Sequence, residues 1–92
     1  MLDPSEVTQL PVDLGPGSFR LQREQIERAL ADTIPPDKDK AFMFLLDADG
    51  RMQPTAKIVV AKRAGDSGWS FHGAGWWNGK RATGQVGVVW AK

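Results

Sequence analysis

Apolar and polar positions change their period along this chain, and each change marks an element. Val7, Leu10, Val12 and Leu14 recur nearly every second residue, in a stretch that also holds Pro4, Pro11, Pro16, Gly15 and Gly17. Fixed-φ and permissive residues at that density oppose a regular helix. Residues 1–17 are therefore predicted to form an extended or loosely ordered N-terminal arm, part of it lying against the body. Residues 18–92 are predicted to form a single domain.

From residue 18 to 34 the period becomes helical. Ile26, Ala29, Leu30 and Thr33 or Ile34 repeat at three- and four-residue spacing, and Arg23, Glu24, Glu27, Arg28 and Asp32 fill the other side. Glu24 and Arg28 stand in the favoured order for an ion pair one turn apart. Two starts compete. Ser18 offers a cap for a helix beginning at Phe19, whereas the alternation of Phe19 and Leu21 favours a short extended lead-in and a start near Gln22. The second is the preferred reading. Pro35-Pro36 ends the helix, because neither residue donates a backbone hydrogen bond.

Beyond the connector Asp37–Lys40 the pattern is that of strands. Ala41–Asp47 is rich in Phe, Met and Leu, and Asp49-Gly50 supplies a turn. A two-residue loop would pair Phe42 with Lys57 and Leu46 with Gln53. A three-residue loop over Ala48, Asp49 and Gly50, with Gly50 left-handed, instead sets Phe42, Phe44 and Leu46 on one face with Met52, Pro54, Ala56, Ile58 and Val60. A one-residue slip sends every side chain to the opposite face, so the second register is preferred. Ala64–Gly68 forms a further turn. A strand from Trp69 to Ala74 follows, with Trp69 and Phe71 on one side and Ser70 and His72 on the other. Gly75–Gly84 is a glycine-bounded loop or a twisted strand pair. Gln85–Ala91 is the last strand, with Val86, Val88 and Trp90 on one face and Gly87 and Val89 on the other.

These elements predict an α+β domain in two layers, one N-terminal helix packed on an antiparallel sheet of about four strands. One helix covers one sheet face. Met43, Leu45, Val59 and Val89, assigned to the second face, then need cover from the arm, from sheet curvature or from another subunit.

Charge adds a polarity to this picture. Residues 1–50 carry ten acidic and five basic side chains, residues 51–92 one acidic and seven basic, while the net charge of the whole chain is only +1. All four tryptophans (Trp69, Trp76, Trp77 and Trp90) fall in the basic part. The near-neutral total argues against non-specific polyanion binding by the molecule as a whole. No cysteine is present, which excludes disulfides, thiolate catalysis and thiolate metal sites. No apolar run reaches the roughly 18–20 residues of a membrane span, and the N-terminus lacks the basic and apolar regions of a secretory signal. A cytoplasmic protein without membrane association is expected.

Catalytic and metal chemistry is thinly represented. Asp47-Ala48-Asp49-Gly50 supplies part of a calcium loop, but the further ligand positions fall on Leu45 and Ala56, so turn chemistry is the better reading. His72, the one histidine, shares a strand face with Ser70, which is the sole hint of a nucleophile and base, and an acidic partner would have to come from elsewhere. No phosphate-cradling glycine motif is present. No cofactor and no metal is indicated, and no motif identifies a family.

The segment Gly73–Arg81 is the best candidate for recognition. Adjacent residues of an extended chain point to opposite faces, so Trp76 and Trp77 cannot both be core in a flat strand. An exposed indole beside Asn78, Lys80 and Arg81, with Trp69 and His72 on the preceding strand, is expected to bind. The alternative is that the rings fold over the sheet as core. Arg51, Lys57, Lys62 and Arg63 read better as protective charge on an edge strand than as a binding patch. The expectation is a small, non-catalytic accessory protein that binds itself or another protein through a Trp-rich basic β surface. Single-stranded nucleic-acid binding by the same face is the alternative. Carbohydrate binding by Trp76 or Trp77 and an enzyme built on Ser70 and His72 rank lower.

Overall fold

Residues 7–14, 19–53, 57–65, 68–73 and 84–92 are described by the computed structural model. Within them the chain forms β1 (Thr8–Leu14), α1 (Phe19–Thr33), β2 (Lys40–Leu46), β3 (Val59–Ala64), β4 (Gly68–His72) and β5 (Gly84–Ala91). The strands make one sheet in the order β1-β5-β2-β3-β4, every neighbour antiparallel. The α+β architecture is as the sequence predicts, with five described strands in place of about four.

The additional strand comes from the N-terminal arm. Its alternating apolar residues pair with β5, and Leu10 and Leu14 are fully buried. Because β1 and β2 both run antiparallel to β5, they are parallel to each other. Parallel strands need a long crossover connection, and α1 provides it. The helix thus lies on the sheet face that its own crossover selects.

That face is not the one the sequence suggests. Ile26, Ala29 and Leu30 of α1 form one core with Leu10, Leu14, Ala41, Met43, Val59, Ala61, Trp69, Val86 and Val88. The helix therefore covers the Met43 side of β2, and Phe42, Phe44, Leu46 and Val60 look away from it. Val89 pairs with Phe42 and lies on that far side too, apart from Met43 and Val59. Both faces of β2 are apolar, so its alternation could not say which one the helix takes.

The helix begins at Phe19, without the extended lead-in. In that frame Gln22, Ile26, Ala29 and Leu30 occupy the buried stripe, while Leu21 is exposed. A polar residue inside and an apolar one outside disguise the first turn. Arg20 takes Glu24 at 3.5 Å and Arg23 takes Glu27 at 3.0 Å, in place of the expected Glu24–Arg28 pair. Thr33 Oγ1 donates to the Ala29 carbonyl at 2.6 Å, and Ile34 N to Leu30 O, before the prolines intervene.

The β2–β3 connection starts on the predicted three-residue loop. Gly50 has φ +76°, Asp47 N donates to Arg51 O, and Leu46 faces Met52. Asp47 Oδ1 accepts from the backbone N–H of both Asp49 and Arg51, at 2.9 and 3.0 Å, which is turn chemistry. Farther along, Phe42 faces Val60. Four residues thus separate Phe42 from Leu46 but eight separate Met52 from Val60, so the second arm carries extra chain. The excess is even, and Met52 and Val60 stay on the Phe42 face. The strand carrying Lys62 and Arg63 is not an edge: β3 lies between β2 and β4. Arg51 and Lys57 are exposed, outside β3.

Candidate interaction surface

The sheet face turned away from α1 can be read row by row from the strand register. One row runs Ala91, Lys40, Lys62, Ser70 across β5, β2, β3 and β4. The next runs Val89, Phe42, Val60, His72. In the row beyond, Gln9 faces Gly87 and Gly87 faces Phe44; the last brings Asp13, Gln85 and Leu46 together.

Backbone polarity adds detail to these rows. Arg63 N donates to Asp39 O at 3.0 Å, so the odd residues of β3 turn their peptide groups toward β2. Lys40–Lys62 and Phe42–Val60 are consequently pairs without mutual backbone bonds, the closer kind, with Cα atoms about 4.5 Å apart. Two lysines stand directly opposite each other beside an apolar pair. Phe42, Val60 and Val89 are half-buried, and Lys62 and His72 are exposed. Phe44 and Leu46 are buried on this same face, packed over Gly87, where a Cβ would come within 2.9 Å of each.

His72 and Ser70 share the face as predicted, with His72 Nε2 3.1 Å from Ser70 Oγ. Ser70 Oγ also donates toward the Lys62 carbonyl, at 3.5 Å. Among the described residues no carboxylate reaches His72 to orient it, and no group of three or more His, Asp or Glu side chains gathers as a metal site.

Trp69 lies on the helix side, buried at 7% exposure with the Arg63 guanidinium 5.7 Å from its ring centre. It is a core ring, and it sits across the sheet from His72. The two described members of the predicted site therefore do not belong to one surface. Trp76, Trp77, Asn78, Lys80 and Arg81 lie outside the described residues. Phe42, Lys40 and Lys62, which sequence reasoning left out of the site, come together only through the register. The signal for them lay in the even positions of two strands whose pairing had to be known first.

An open cleft of about 320 Å³ lies between β1 and α1, lined by Val12, Asp13, Gln25, Arg28 and Asp32 among others. Among the described residues no helix is long and apolar enough to cross a membrane. Comparison with protein-family models, with curated proteins and with solved structures finds no match for this chain.

Proposed function

We propose that this chain is a non-catalytic interaction module that binds another protein, a second copy of itself included, through the sheet face turned away from α1. The observation that carries the reading is the half-buried apolar row Val89–Phe42–Val60 in the middle of that face, flanked by lysines and by His72. An apolar centre with a polar rim is the usual anatomy of a protein interface. The Trp76–Trp77 segment, with Asn78, Lys80 and Arg81, supplies the remainder of the proposed surface on sequence grounds. The non-catalytic part of the reading rests on the Ser70–His72 pair, which has no acidic third member among the described residues.

Sedimentation velocity from low to high micromolar concentration tests the proposal. Association that depends on concentration and is lost in Val60→Glu supports it. Monomer throughout, with no protein partner captured by the wild type that Val60→Glu fails to capture, overturns it.

A second reading, single-stranded nucleic acid, is favoured by the placement of Lys40 and Lys62 next to the Phe42 ring. Bases stack on aromatic rings while cations hold the backbone. Such binding falls steeply with salt and is weakened by Phe42→Ala. No binding of an oligonucleotide at low salt, or binding that Phe42→Ala leaves unchanged, removes this reading.

A further inference from the structure

We infer that the Lys40–Lys62 pair is a binding site for a phosphate-type oxyanion. The inference rests on the reading of this face as the recognition surface and names the chemistry one end of it takes. Like charges directly opposite on neighbouring strands destabilise a sheet, and these two form the closer kind of antiparallel pair. Among the described residues no carboxylate lies within ion-pair distance of either ammonium. Of the acidic neighbours in the preceding connector, Asp37 sits 3.8 Å from Lys38. The row continues with polar, uncharged or titratable groups and no carboxylate. The Ser70 hydroxyl faces Lys62, and the His72 ring nitrogen lies beside that hydroxyl. Two ammonium groups on one side of a sheet suit a tetrahedral oxyanion, which offers several acceptors and enough charge to offset both cations. Lys40 is half-buried and Lys62 is exposed.

The pair leaves a signature that ordinary surface lysines lack. In chloride, Lys62→Gln removes the repulsion and raises Tm, by on the order of 2–5 °C for a domain of this size. Low-millimolar inorganic phosphate, at ionic strength matched with chloride, raises the Tm of the wild type by a similar amount. The increment vanishes in Lys62→Gln and persists in Lys57→Gln, whose lysine is exposed outside the row. Equal wild-type Tm in the two salts, or an increment that survives Lys62→Gln, overturns the site. Oligothymidylate in place of phosphate separates the sources. Tighter binding of the strand, lost in Lys62→Gln, supports the site and assigns a phosphodiester. Saturation by inorganic phosphate with no gain from the strand supports it with a free phosphate group. Loss of the phosphate effect while association remains sensitive to Val60→Glu sinks this site alone. Loss of both sinks the interaction surface as well.

Discussion

Gly87 shows how much of this fold turns on single positions. A Cβ at this position would lie 2.9 Å from both Leu46 Cδ2 and Phe44 Cε2, and both of those side chains are buried. Leu46 has rotamers to use, but the Phe44 ring is rigid, so the strand has to move. Gly87→Val is expected to lower stability by about 1–3 kcal/mol in urea unfolding. Gly50 poses the opposite case. Nothing stands near it, and only its φ of +76° demands glycine. Gly50→Ala is expected to cost about 1 kcal/mol by the same measurement, with the fold unchanged by circular dichroism. The role of Gly50 is legible in the sequence, because Asp49-Gly50 between two apolar runs is local turn chemistry. The role of Gly87 is not, since it depends on side chains forty residues away.

At the level of elements, α1 stands on its apolar stripe far more than on its charges. Ile26 and Leu30 are wholly buried, and Leu30→Ala is expected to cost about 2–5 kcal/mol in chemical denaturation. The Arg20–Glu24 pair is exposed on the helix surface, so Glu24→Gln is expected to change stability by no more than about 0.5 kcal/mol. Arg23 does two things, holding Glu27 at 3.0 Å while its guanidinium lies 5.1 Å from the Phe71 ring centre. Helix existence, its end at the prolines and its buried stripe from Ile26 onward could all be read from spacing. Its start could not, because buried Gln22 and exposed Leu21 invert the pattern in the first turn.

Across the whole molecule, the placement of β1 matters most. A loosely attached arm could lose a leucine at little cost, whereas Leu10 in an edge strand belongs to the core it shares with α1 and β5. Leu10→Ala is expected to destabilise the entire domain by about 2–5 kcal/mol, in one cooperative unfolding transition. The same topology rearranges the charge. Strand order alternates early and late parts of the chain, β5 lying between β1 and β2, so the acidic first half and basic second half do not become two halves of the sheet. What the register assembles instead is local: Lys40 from the acidic half meets Lys62 from the basic half.

Sequence alone determined the properties that need only near neighbours. These are the period of each element, the prolines that stop the helix, the three-residue turn at Gly50, and the sides on which Ser70 and His72 or Trp69 and Phe71 project. Each depends on backbone sterics or side-chain alternation within a few residues. Tertiary structure alone decided which apolar face the helix covers, that the arm becomes a strand, that β3 is interior, and that two lysines and a phenylalanine form one patch. Those outcomes depend on pairing between segments distant in the chain. Alternation is symmetric between the two faces of an apolar strand, and only the crossover of α1 breaks that symmetry.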